Sequence, residues 1–337
     1  MKAIGYQHCQ PEQGIDILVD IELDKPVANG YDCLIEVKAV AVNPVDTKVR
    51  ITAQPEEGEY KVLGWDACGI VTAVGEQVTR FKVGDEVWYA GAVNRPGCNA
   101  EYQLVDERLI ALKPKSLSFG EAAALPLTSL TAWEILFDRL QLHQNPEQAK
   151  RLLITGAAGG VGSIMIQLAC GLTSAQVIAT ASREETENWV KQLGAHFVLN
   201  HRNALSEELE KTGLTSVTHV ASLNQTDQHF ADMVKMLKPQ GKLALIDTPS
   251  KPLDILSMKQ KSLSLHWEFM FTRSVFETED MIQQHKILSR VAELVDSGII
   301  KSTMQQHFGT INASNLIKAH RFLETNTSIG KVVLEGF

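Results

Sequence analysis

At 337 residues, 44% of them hydrophobic and 21% charged, the chain has ordinary globular composition and the length for two domains of ~100–200 residues each. Its 32 basic and 40 acidic side chains leave a net charge of −8, with no basic stretch interleaved with aromatics, which excludes the cationic footprint that a nucleic-acid partner requires. No apolar run approaches the ~18 residues of a membrane span, and Met1 to His8 turn polar too soon for a secretory signal.

The five cysteines lie 24 or more residues apart, offering neither a disulfide framework nor a CxxC metal pair, and fit a reducing cytoplasm. The first third of the chain reads as β-rich. From Cys33 to Ala41, the alternating residues Cys33, Ile35, Val37, Ala39 and Ala41 present one apolar or small face, which predicts a strand packed on a core. Further short strands are predicted at Gly69–Gly75, Gly84–Ala90 and Ala100–Val105, and their glycine-punctuated spacing suits a compact antiparallel barrel.

The pattern changes near residue 116. Ser118 can cap a helix that starts at Phe119, with Glu121 at capping-box spacing, and a second helix is predicted over Thr128–Leu140. From Arg151 onward, strands and helices alternate. Strands are predicted at Leu152–Thr155, Gln176–Ala181, Phe197–Leu199, Val217–Ala221 and Lys242–Ile246, with helices at Ser163–Leu172, Glu184–Leu193, Ala204–Lys211 and Phe230–Leu237. Such alternation specifies a parallel sheet covered on both faces. A long helix from about Glu279 to Ser297 and a strand at Gly330–Leu334 then return to the first domain. The expected architecture is therefore discontinuous: residues 1–125 and 271–337 form a β-rich domain, and 126–270 form an inserted dinucleotide-binding domain.

The segment Thr155-Gly156-Ala157-Ala158-Gly159-Gly160-Val161-Gly162 lies between a strand and a helix. Glycines there allow a sharp turn and a close approach of backbone amides to a pyrophosphate, while the helix N-terminus supplies partial positive charge. Ala157 occupies the first glycine position of the dinucleotide fingerprint. The cofactor-binding candidates of the loop are thus Ala158, Gly159, Gly160, Val161 and Gly162. The second strand ends Ala181-Ser182-Arg183 with no acid before Glu184, so Ser182 and Arg183 favour the 2′-phosphate of NADPH over the ribose hydroxyls of NADH. A solvated helix start beside Glu184, Glu185 and Glu187 is the alternative for Arg183.

Read with Val42-Asn43-Pro44-Val45-Asp46-Thr47, Gly64-Trp65-Asp66-Ala67-Cys68-Gly69, Gly84-Asp85-Glu86-Val87, Leu130-Thr131-Ala132-Trp133 and Gly330-Lys331-Val332-Val333-Leu334, this loop resembles the medium-chain dehydrogenase/reductase superfamily. The resemblance is closest to its zinc-independent quinone oxidoreductase branch and covers nearly the whole chain. It implies an α/β fold, with a doubly wound Rossmann sheet beside a GroES-like catalytic domain. It also implies that Asn43 and Asp46 line the nicotinamide pocket, that Thr131 meets the carboxamide, and that His201 stands where relatives place a tyrosine near the 2′-phosphate. Local alternatives exist for each: Asn43-Pro44 initiates turns, Asp46 suits a helix cap, Thr131 can bond its own backbone, and His201 can be a loop residue.

Zinc-dependent relatives carry a cysteine at Asn43, a histidine at Trp65, an acid at Asp66 and a further ligand near Leu127. Trp65 cannot coordinate zinc, Asn43 is a poor ligand, and only Cys98 falls in the region of the relatives' four-cysteine lobe, so no metal site is expected. The expected activity is metal-independent, NADPH-dependent reduction of an electrophilic quinone or α,β-unsaturated carbonyl. A non-catalytic NADPH-binding sensor and, less favoured, a zinc alcohol dehydrogenase are the alternatives. In Leu263–Arg273, an edge strand at Leu263–Trp267 is expected to pair across a two-fold axis in a homodimer, followed by a Phe-Met-Phe loop.

Overall fold

The computed structural model describes residues 1–9 and 17–337. The N-terminal part contains β1 (Lys2–Tyr6), β2 (Val19–Glu22), β3 (Asp32–Val42), α1 (Pro44–Thr52), β4 (Lys61–Val62), β5 (Ala67–Val74), β6 (Glu86–Tyr89), β7 (Tyr102–Asp106), β8 (Ile110–Leu112), α2 (Phe119–Ala123) and α3 (Pro126–Trp133). Next come β9 (Arg151–Thr155), α4 (Gly160–Leu172), β10 (Gln176–Thr180), α5 (Glu184–Gln192), β11 (Phe197–Leu199), α6 (Leu205–Lys211), β12 (Val217–Ser222), α7 (Thr226–Met236), β13 (Leu237–Leu245) and β14 (Ser264–Trp267). The chain closes with α8 (Thr272–Val275), α9 (Gln283–Asp296), β15 (Met304–His307), α10 (Ala313–Glu324) and β16 (Lys331–Glu335).

The elements divide into two compact units, Met1–Leu130 with Phe271–Phe337, and Thr131–Met270. The first boundary falls within α3, five residues beyond position 125, because the helix that starts at Pro126 runs unbroken through Leu130 and Thr131.

In the first unit, β3 organises the larger sheet. Its residues Cys33, Ile35, Val37, Ala39 and Ala41 are all buried, as their alternation predicts. The strand is long enough to be shared. β5 pairs along most of its length, β7 pairs with Asp32–Glu36, and β16 pairs with Ala39–Val42, all antiparallel. β6 and β8 extend the β5 side, β15 lies parallel to β16, and β2-β1-β4 forms a separate three-stranded sheet. The α2 cap is the one read from the sequence: Glu121 N–H donates to Ser118 Oγ at 3.3 Å, and Ser118 N–H donates to Glu121 Oε2 at 2.9 Å.

The second unit holds a six-stranded sheet in the order β11-β10-β9-β12-β13-β14, parallel throughout. Leu153, Ile178, Val220 and Leu243 of its strands are buried against Leu205, Leu209, Phe230 and Met233 of its helices. This is the doubly wound arrangement that strand–helix alternation specifies.

Several boundaries differ for non-local reasons. α7 begins four residues before Phe230, because Asp247 from beyond β13 accepts the Thr226 amide at 3.1 Å and caps the helix from outside. α9 begins at Gln283 rather than Glu279, since Asp280 is engaged in a turn by Thr278 Oγ1 at 2.7 Å and Arg273 Nε at 2.9 Å. The helix expected over Thr128–Leu140 continues past Trp133 as a π-helical stretch, Glu134–Arg139.

Candidate active site

Three neighbouring strands of the first unit meet at one end of their sheet. Val332 faces Val42 across the antiparallel β16–β3 pair, which places Lys331 opposite Asn43. On the other flank Val40 faces Ala67, and the Ala41 amide donates to the Asp66 carbonyl at 2.8 Å, so Asp66 arrives at the same end.

The side chains there form a closed polar cluster. The Lys331 ammonium donates to the Val42 carbonyl at 2.9 Å and to Asn43 Oδ1 at 2.5 Å, and lies 3.0 Å from Asp66 Oδ2. Asn43 Nδ2 donates to the same Asp66 oxygen at 3.1 Å and to the Ala41 carbonyl at 3.3 Å. Asp66 Oδ1 accepts the Leu127 amide at 3.1 Å. Lys331 is 3% exposed, Asn43 1% and Asp66 0%, so every member depends on the others for the hydrogen bonds that water would otherwise supply. Burial pushes the Asp66 carboxyl up, and the charge of Lys331 pulls it back.

Asn43 is also the N-cap of α1, in extended conformation with Pro44 at the first helical position. Asp46, at the third, accepts the Asn43 amide on Oδ2 at 2.5 Å, while its Oδ1 makes no hydrogen bond. Burial pushes the Asp46 carboxyl up to about 7, against the lowering effects of the Asn43 amide and of Lys331. Asn43 and Asp46 therefore share one cluster. Both amide hydrogens of Asn43 are engaged by protein acceptors, leaving one lone pair on Oδ1.

The same residues decide whether zinc fits. Trp65 donates its indole N–H to the Ala92 carbonyl at 3.1 Å, packs edge-on against Phe271, and has no lone pair to offer. The space between Asn43 and Asp66 is filled by the Lys331 ammonium. Among the described residues, no group of three or more His, Cys, Asp or Glu side chains converges to hold a metal ion. This donor set does not fit a zinc ion.

In the second unit, the loop after β9 has the shape a dinucleotide requires. Gly156 takes φ +65°, turning the chain at the strand end, and α4 starts at Gly160. A Cβ on Gly162 would lie 2.4 Å from the Ala157 carbonyl oxygen, so only glycine lets the helix begin this close to the strand. Ala158 and Gly162 are buried; Gly159, Gly160 and Val161 are half-buried, with their backbone at the helix N-terminus. Ser182 and Arg183 follow β10, the neighbour of β9, and His201 follows β11, the neighbour of β10; all three residues are half-buried at the C-terminal ends of these parallel strands. Arg183 N–H donates to Thr186 Oγ1 at 3.2 Å at the start of α5. Burial holds the His201 imidazole below its usual range, helped by the positive charges of His229, Arg202 and Arg183. The Arg202 and Arg183 guanidiniums, whose charge reaches His201, are the cationic groups here, and groups of that kind fit a phosphate monoester. Thr131 is buried within α3, apart from the loop in sequence.

Sequence reasoning read Lys331 only as the start of a strand. Its partner Asn43 lies nearly the whole chain away, and the one local signal is a lysine opening an otherwise apolar strand directly after a glycine.

Comparison with known proteins agrees with both units. A family profile described as the alcohol dehydrogenase GroES-like domain matches residues 29–115, and one described as zinc-binding dehydrogenase matches 193–334. A zinc-type alcohol dehydrogenase-like protein of Staphylococcus aureus is 39% identical over 99% of both chains. A chloroplastic NADPH-dependent alkenal/one oxidoreductase of Arabidopsis thaliana is 31% identical over 95% of this chain and 76% of its own length. Among solved structures, a protein of Rhizobium etli provisionally named a zinc-dependent alcohol dehydrogenase is 50% identical, with TM-score 0.96 over 100% of this chain and 98% of that one. Escherichia coli quinone oxidoreductase complexed with NADPH is 25% identical, with TM-score 0.83 over 99% of this chain and 100% of that one.

Proposed function

Because the chain belongs to the medium-chain dehydrogenase/reductase superfamily, in its quinone oxidoreductase branch, we propose that it uses NADPH to reduce quinones or α,β-unsaturated carbonyls without a metal. The observation that carries this reading is the Lys331 ammonium between Asn43 and Asp66, in a cluster whose donors do not suit zinc. Oxidising an ordinary alcohol calls for a Lewis acid to form and hold an alkoxide. A quinone or enone needs less help, since its conjugated oxygen takes up the negative charge that arrives with a hydride.

Bound NADPH supplies that hydride. The backbone amides of Ala158 to Gly162 at the α4 N-terminus hold the pyrophosphate. Ser182, Arg183 and His201 hold the 2′-phosphate, and Thr131 holds the carboxamide. Asn43, its donor hydrogens taken, serves as a fixed acceptor in the nicotinamide pocket. Asp46 orients Asn43 through the backbone amide, and solvent or the cofactor ribose supplies the product proton. The cysteines Cys9, Cys33, Cys68, Cys98 and Cys170 are free thiols and support placing the protein in a reducing cytoplasm.

Initial rates with NADPH or NADH and a panel of quinones, enals and simple ketones test this reading. Turnover of quinones or enals that survives a chelator is expected; stoichiometric zinc whose removal abolishes turnover overturns it, and turnover with no substrate favours a cofactor-binding sensor. Arg183→Ala should weaken NADPH by about 1.5–3 kcal/mol, the worth of a hydrogen bond to a charged group, and NADH far less. Equal losses for both cofactors would remove the NADPH assignment.

A further inference from the structure

The backbone around Lys331 is fixed before its side chain acts. Gly330 takes φ +56°, and a Cβ there would lie 2.3 Å from the Thr303 carbonyl oxygen, so the chain turns into β16 at a position only glycine fits. The Lys331 amide then donates to that Thr303 carbonyl at 2.8 Å. An ammonium has three hydrogens, and here Val42, Asn43 and Asp66 supply three acceptors. Lys331 is saturated, and has no hydrogen left for a ligand. What its contacts do is choose between the two orientations of the Asn43 amide. Lys331 on Oδ1 and Asp66 on Nδ2 select the same one, and a flipped amide would face an ammonium with its donors and a carboxylate with its acceptor.

We propose that Lys331 is a positioning residue of the reductive site, an internal cation that locks the Asn43 side-chain amide into one orientation. This rests on the placement of Asn43 in the nicotinamide pocket given above. A clamp that only joined β16 to β3 would need the charge pair for stability and nothing more.

The two roles separate in K331M/D66N, which removes both charges and strands neither in the interior. The Asn43 Nδ2 resonance of ¹⁵N-labelled protein, identified by its loss in Asn43→Ser, should exchange slowly with solvent in the wild type and at least about tenfold faster in the double variant. With the amide loosened, kcat should fall at least about tenfold, while the NADPH dissociation constant stays within about twofold. K331R keeps a charge beside Asp66, but its planar fork cannot direct one N–H to each of the three acceptors. It should melt close to the wild type and show the same losses.

Slow exchange in either folded variant overturns the proposal. Fast exchange with wild-type kcat overturns the link from Asn43 to the reaction. If the wild type itself reduces no quinone or enal, the functional reading fails, and the exchange rates alone decide whether Lys331 orients Asn43.

Discussion

Asp46 shows how much a single buried carboxyl can set. Its Oδ1 is unengaged and its folded pKa is raised to about 7, chiefly by burial, against an unfolded value near 3.8. Between those values the folded state binds the proton more tightly than the unfolded chain does. The stability contributed by this group is therefore fully present below about pH 4, and is lost as the pH rises through 7, at about 1.4 kcal/mol per unit. Asp46→Asn keeps an acceptor for the Asn43 amide and removes the titration. Its melting temperature should match the wild type near pH 4 and exceed it by a margin that grows up to about pH 7; a difference that does not grow with pH removes the assignment. The cap itself was legible in Asn43-Pro44-Val45-Asp46, because a cap is decided within one turn. The burial of Asp46 and the lysine across from Asn43 were not, since burial depends on tertiary packing and the lysine's place on how β16 registers on β3.

At the scale of elements, the loop between β9 and α4 makes two glycines unequal. Gly162→Ala would push a methyl to 2.4 Å from the Ala157 carbonyl oxygen, against backbone that cannot yield, and overpacking of this kind costs about 1–3 kcal/mol. Gly159→Ala has room, its nearest neighbour being the Gly156 carbonyl at 3.4 Å, and its φ of −73° suits any residue. Thermal melts should show a loss for Gly162→Ala and little change for Gly159→Ala, while fluorescence titration should show weaker NADPH binding in both. Equal melting temperatures would refute the packing argument. The strand, turn and helix here were readable because they are consecutive in sequence. The early start of α7 was not, because its cap, Asp247, arrives from the far side of the next strand. The π-helical continuation of α3 also escaped a reading based on a 3.6-residue period.

For the whole molecule, the change from short antiparallel strands to strand–helix alternation was visible in composition and spacing, and both sheet types follow from it. Of the sheet edges that the single chain leaves open, the one at β14 is flanked by exposed apolar side chains. β14 is the outermost strand of the parallel sheet, with β13 on its inner side only. Around it Trp267 is 55% exposed, Phe269 49%, Ile255 60% and Leu256 77%, an apolar group beside an unpaired edge. Unprotected edges of this kind pair with another chain unless charge or proline blocks them. An isologous contact answers both features at once, because a two-fold axis through the edge aligns β14 antiparallel with its own copy and buries the same side chains twice. The protein is therefore expected to sediment as a dimer at micromolar concentration, and Trp267→Lys, which puts a charge at the exposed end of the strand, to sediment as a monomer with an unchanged melting profile of the isolated fold. A monomeric wild type, or a dimer indifferent to the lysine, would place the contact elsewhere and leave the apolar edge to another partner.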